Sequence, residues 1–205
     1  MRIQIKFSKQ GALRYTGHLD LHKLWERAAR RAQLPLAYSQ GFHPQPKMSI
    51  AAALPLGFSS RCEVLDMRLE QDILLDDLAN KLNETMPTGI RVMDIKQVED
   101  RAPALQTQVV SAEYEVTSKE TAFGSELKRK IDSVMETESI LRTRRKKEYD
   151  LRPLIEALEL VSEDILFMRL TAKEGATGRP EEVLDELGIA FENTRIERSR
   201  LNFQT

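Results

Sequence analysis

Between Arg2 and Phe7 the apolar residues Ile3, Ile5 and Phe7 alternate with Gln4 and Lys6, and soon afterwards the period changes. Leu21, Trp25, Ala28 and Ala32 recur at i, i+4, i+7 and i+11. A period of two marks a strand with one buried face, and a period near 3.6 marks a helix with one buried stripe. This switching constrains the fold more than any other feature, because it continues in a fixed order. The extended segment around Tyr38–Met48 and a turn at ALPLG lead to Glu63–Glu70, where Leu65, Met67 and Leu69 alternate with Asp66 and Arg68. Leu74, Leu75, Leu78 and Leu82 return to helical spacing over Asp72–Met86, Pro87 and Gly89 end that helix, and Ile90–Val98 reads as a strand. The order is β-α-β-β-α-β, the split βαβ of ferredoxin-like folds, in which both helices cover one face of an antiparallel sheet.

Glu99–Gln108 has neither period and contains Pro103, so it is expected to be a linker between domains at 1–98 and 109–205. Beyond it the order starts again. Val110, Ala112, Tyr114 and Val116 predict a strand, and Leu127, Ile131, Val134 and Met135 predict a helix. Ile140–Glu148 reads as extended, Ile155–Val161 and Ile165–Ala172 as a hairpin, Pro180–Leu187 as a short helix and Arg195–Phe203 as a closing strand. The expected class is α+β, with two ferredoxin-like βαββαβ units. Fold alone assigns no activity, since this architecture serves binding, catalysis and scaffolding alike.

A chain of 205 residues that is 41% hydrophobic and 31% charged is an ordinary globular one. No apolar run is long enough to span a bilayer, and MRIQIKFSKQ lacks the apolar block of a signal peptide, so a cytoplasmic location and no membrane partner are expected. The single cysteine, Cys62, excludes an internal disulfide and any multi-cysteine zinc or iron–sulfur site built from one chain.

The net charge of −1 excludes a uniformly basic nucleic-acid binder, but the charges cluster. Lys23, Arg27, Arg30 and Arg31 share one helical segment, the run RTRRKK holds Arg142, Arg144 and Arg145, and acids collect at Glu70–Asp77 and Glu181–Glu186. Beside the basic helix lies YSQGFHPQPKM. Its alternate prolines keep His43 and Gln45 out of the α region, so the segment is expected to run extended. Phe42, Pro44 and Pro46 would then pack on one side, leaving His43, Gln45 and Lys47 to reach out. Phosphate-attracting cations next to the rings of Tyr38, Phe42 and His43 form a pattern suited to a nucleic-acid strand. A plain solvated helix face, with Glu26 paired to Arg30, is the competing reading.

Other chemistry is thinly represented. His18 and His22 at i, i+4 could grip a metal, but no third ligand stands at a recognisable spacing, and hydrogen bonding at the helix start by His18 and Asp20 accounts for them as well. Cys62 beside Arg61 has no placed base and reads as a small buried strand residue. Phosphate-loop, GxSxG and HExxH patterns are absent.

The stretch from FSKQGALRYTGHLD through ERAARRAQLPLAYSQGFHPQP to ALPLG, with the later YDLRPLIEAL and GRPEEVLDELG, resembles the radical SAM-linked protein family. That family is a bacterial domain of unknown function found fused to, or encoded beside, radical SAM proteins. His22 departs from the aliphatic or basic residue of the family pattern, which weakens the metal reading. The resemblance implies a radical SAM partner that carries the iron–sulfur cluster itself, because one cysteine cannot hold it. Since relatives of such partners often modify RNA, the resemblance also points, by association, to RNA. Three readings follow: a non-catalytic RNA-binding accessory, a protein-docking module without a nucleic-acid role, and an RNA-modifying enzyme with Asp20 or Asp150 as nucleophile.

Overall fold

The computed structural model describes residues 1–119, 123–124, 126–144 and 146–204. The protein is of the mixed α+β class and divides into two compact units, Met1–Gln108 and Val109–Thr205.

In the first unit β1 (Arg2–Lys9) is followed by a 3-10 turn at Gly11–Tyr15 and helix α1 (His18–Arg31). Strands β2 (Met48–Ile50) and β3 (Ser59–Arg68), helix α2 (Leu78–Thr85) and β4 (Ile90–Val98) complete it. β1 pairs antiparallel with β3 on one side and β4 on the other, and β2 pairs with β3, so the strand order is β4-β1-β3-β2. The register sets Ile3 opposite Met67 and Ile5 opposite Leu65, which puts the apolar halves of two alternating strands on one face. Leu21, Trp25 and Ala29 of α1 and Leu78 and Leu82 of α2 bury against that face. Each of these leucines contributes about 1.5–3 kcal/mol by leaving water. Trp25 is fully buried and meets Phe7 edge to face, ring centroids 4.8 Å apart.

Helix ends follow local chemistry. Gly17 is the N-cap of α1 and offers no side chain to cap it, and Asp20 sits in the first turn, where the helix dipole favours an acid. The helix stops when Gln33 turns left-handed, two residues before Pro35. Helix α2 begins only at Leu78, after a left-handed Asp77, and not at Asp72 as periodicity suggests. Leu74, on which that expectation leaned, is 84% exposed.

The opposite face of this sheet carries Arg2 and Asp66, a buried pair at 2.6 Å. Arg2 also donates to the carbonyls of Ala102 at 2.6 Å and Pro103 at 3.0 Å. The stretch 99–108, read from the sequence as a linker, is thereby tied to β1, and its Leu105 is buried.

In the second unit β5 (Val109–Ser118), α3 (Glu126–Glu136), the two-stranded hairpin β6 (Leu141–Arg144) and β7 (Lys147–Asp150), and β8 (Ile155–Ser162) follow in order. β9 (Ile165–Lys173), the short β10 (Ala176–Thr177), α4 (Pro180–Glu186) and β11 (Thr194–Phe203) come after them. β5 pairs antiparallel with β9 and β11, and β8 and β10 pair with β9. The strand order β8-β9-β5-β11 matches that of the first unit. The hairpin β6–β7 is an insertion into it: Lys146, left-handed at φ 66°, turns the chain back, so the Ile140–Glu148 stretch is two short strands and not one.

Candidate nucleic-acid interface

Of the exposed cations on α1, Lys23, Arg27 and Arg31 follow one another at four-residue intervals along one side of the helix. With a rise of 1.5 Å per residue they stand about 6 Å apart, in a line about 12 Å long. They line a groove of about 510 Å³ with Thr16, Asp20, Leu24 and Pro87. Lys23 meets Asp20 at 3.8 Å, both side chains exposed, and Arg31 donates to the carbonyl of Thr85 at 2.5 Å. Arg27 meets no carboxylate among the described residues. The line therefore keeps a net positive field open to solvent.

Arg30 points around the helix from this line. Its guanidinium bonds Glu26 at 2.7 Å and donates to the Tyr38 hydroxyl at 3.0 and 3.2 Å. The Tyr38 hydrogen bond, followed by the charge of Glu26, raises its pKa further above an already high ordinary value. This contact joins the basic helix to the proline-containing ribbon, two features that the sequence displays separately.

The ribbon is a closed loop and not an extended run. Tyr38 and Pro46 form an isolated bridge, the Ser39 N–H donates to Gln45 O at 2.8 Å, the Gln45 N–H to Ser39 Oγ at 2.9 Å, and the Lys47 N–H to Ala37 O at 2.8 Å. Gly41, at φ +127°, reverses the chain inside this frame, a conformation that a side chain would strain. Alternation breaks there, which corrects the expectation that Phe42, Pro44 and Pro46 share a packed side. Phe42 sits at the tip, 102% exposed, with His43 and Pro44 exposed beside it and only Pro46 half-buried. Lys47, also exposed, borders a second cavity of about 340 Å³ with Ser49, Arg68 and the Arg2–Asp66 pair.

The RTRRKK run behaves differently. Arg142 bonds Asp185 at 2.5 Å and Glu186 at 2.6 Å, and Arg144 bonds Glu182 at 2.7 Å, with its guanidinium 4.7 Å from the Tyr149 ring centroid. Asp185 does most to raise the Arg142 pKa; burial works against Arg144, and Glu182 overrides it. These two arginines latch the β6–β7 hairpin onto α4 and are not free cations. Arg145 lies outside the described residues. Among the described residues the open cationic surface is thus built from the first unit: Lys23, Arg27 and Arg31 line the groove and Lys47 lies exposed, while Arg30, paired with Glu26, holds Tyr38 and with it the loop that exposes Phe42 and His43.

The remaining candidates have structural surroundings. His18 and His22 meet edge to face at 4.8 Å, and no group of three or more His, Cys, Asp or Glu side chains suited to a metal comes together among the described residues. Burial, and then the neighbouring His18, hold His22 below its ordinary pKa. Cys62 is buried in β3. Asp150 accepts the N–H groups of Ile140 at 2.8 Å and Arg152 at 3.0 Å, which lower its pKa, Ile140 foremost. Its carboxylate is spent on backbone capping. One aromatic escapes periodicity altogether: Tyr15, 64% exposed, directly before the groove residue Thr16. Its only signal is position, an aromatic in the short GALRYTG link between strand and helix.

No curated protein matches the chain. The family described as "Uncharacterized protein conserved in bacteria (DUF2344)" matches residues 2–180, spanning the first unit from Arg2 onward and the second as far as the first residue of α4. The chain therefore belongs to the bacterial DUF2344 family.

Proposed function

We propose that this protein is a non-catalytic, cytoplasmic RNA-binding accessory of a radical SAM enzyme, built from two ferredoxin-like units. The observation that carries the RNA reading is the groove along α1, where Lys23, Arg27 and Arg31 stand in line and Arg27 meets no carboxylate among the described residues. A line of cations about 6 Å apart suits successive phosphates of one strand. The matching strand orders of the two units support the ferredoxin-like reading. The radical SAM partner rests on the resemblance of the HLD, ERAARRA, YSQGFHPQP and ALPLG motifs, and the partner supplies the cluster.

The test is RNA binding across a salt series. Each neutralised phosphate contributes about 0.7 to the slope of log K against log salt for a single strand, so replacing Lys23, Arg27 and Arg31 by Ala lowers the slope by about 2. Binding that is absent or indifferent to salt overturns the reading. The partner is tested separately, by co-purification with a radical SAM protein from nuclease-treated extract; failure to co-purify removes that part.

A further inference from the structure

We infer that the α1 groove takes a single strand with unstacked bases, not a duplex, and that Tyr15 and Phe42 are the platforms on which those bases stack; the inference rests on the RNA reading above. Duplex RNA is recognised by shape, across successive minor grooves and the phosphates between them, which calls for cations spread over a broad face. Here the cations of the groove are confined to one line inside a concavity of about 510 Å³, walled by Thr16 and Pro87. That is room for one backbone.

The two rings are placed by different means. Tyr15 ends the 3-10 turn that leads into α1, and the Gly57 N–H holds this turn by donating to Arg14 O at 2.9 Å. The Arg14 guanidinium lies 4.8 Å from the Tyr15 ring centroid, so a cation already backs the ring. Phe42 tips the loop that Ser39 and Gln45 close and that Arg30 ties to the last turn of α1 through Tyr38. One aromatic therefore precedes the basic helix and the other follows it. Neither serves the core: Phe42 is fully exposed and Tyr15 nearly two-thirds so. Stacking gives exposed rings a function without base-specific hydrogen bonds, and so without strong sequence preference.

The experiment is fluorescence anisotropy across a salt series with the full chain, affinities being compared at one common salt concentration. The probes are a labelled single-stranded 12-mer, the same strand annealed to its complement, and an abasic strand of equal length. The single strand is expected to bind more tightly than the duplex or the abasic strand. Tyr15→Ala and Phe42→Ala are each expected to weaken it by about 5- to 150-fold, the worth of one stacked base, with the salt slope unchanged. Abasic binding should be indifferent to both substitutions. Unfolding curves identical to those of the parent protein confirm that both variants are folded. Duplex binding as tight as single-strand binding, or affinity unmoved by both substitutions while the Lys23, Arg27 and Arg31 variant loses it, overturns this inference and leaves the RNA reading standing. No binding to any probe overturns both.

Discussion

Replacing Asp66 by Ala removes the carboxylate to which Arg2 is hydrogen-bonded behind the β1–β3 face. The guanidinium donates to Asp66 through Nε at 2.9 and 3.0 Å and through Nη2 at 2.6 Å, and both side chains are more than nine-tenths buried. Without Asp66, Arg2 keeps the carbonyls of Ala102 and Pro103, which accept hydrogen bonds but carry no charge, and the weaker pull of Asp100, which does not bond it. Breaking a buried pair from one side costs about 3–5 kcal/mol, because the other charge stays behind unpaired. Replacing both partners by apolar residues of similar size, Arg2→Met with Asp66→Leu, removes the stranded charge, so most of that loss should return. Trp25 is the only tryptophan and lies buried in the same unit, so its fluorescence during urea unfolding reports this unit directly. At a slope of about 2 kcal/mol/M, Asp66→Ala lowers the midpoint by about 2 M, with the double variant lying between it and the parent. A loss below about 1 kcal/mol for Asp66→Ala, or a double variant less stable than the single one, would refute the claim that a desolvated charge pair fastens the 99–108 stretch to β1.

Three further outcomes are expected. Gly89→Ala puts a Cβ 2.6 Å from the Gln10 carbonyl oxygen at φ +104°, and should cost at least about 2 kcal/mol by the same fluorescence assay. Because the His22 imidazole is held below 6.5, the unfolded chain takes up a proton that the folded chain resists; stability that is full above pH 6.5 is lost as pH falls through that value toward the depressed one. His22→Gln should flatten the dependence of stability between about pH 7 and about pH 5, as followed by urea midpoints at each pH. Arg142→Ala with Arg144→Ala should speed amide hydrogen exchange in the β6–β7 hairpin and cost about 1 kcal/mol, less in high salt, while leaving RNA affinity unchanged.

Much of the fold is legible in the sequence because period 2 and period 3.6 are local signals. Ile3, Ile5 and Phe7, or Leu21 and Trp25, declare their buried side without knowledge of what covers them. The misjudged places are those where a tertiary or turn-level effect overrides the period. Leu74 fits a helical stripe but has no surface to pack on, and the helix waits for Leu78. Alternate prolines restrict the residues before them, yet one glycine at a positive φ turns the expected ribbon into a loop and swings Phe42 into solvent.

The contrast between the two basic runs makes the same point about charge. On a helix, an acid three or four residues away is within reach, so local spacing alone pairs Lys23 with Asp20 and Arg30 with Glu26. It leaves Arg27 and Arg31 unpaired, since the residues three and four before and after Arg27 are Leu24, Lys23, Arg30 and Arg31, and those before Arg31 are Ala28 and Arg27. Among the described residues neither of them meets a carboxylate. The same local test would also declare Arg142 and Arg144 free, because their hairpin partners are Tyr149 and Lys147. It fails there because Asp185 and Glu182 arrive from 43 and 38 residues further along the chain. A basic run thus remains available to a ligand only where no acidic element packs across it. α1 meets that condition: Thr16, the Thr85 carbonyl and Pro87, which border its groove from outside the helix, carry no charge, and the acid in the lining, Asp20, comes from α1 itself.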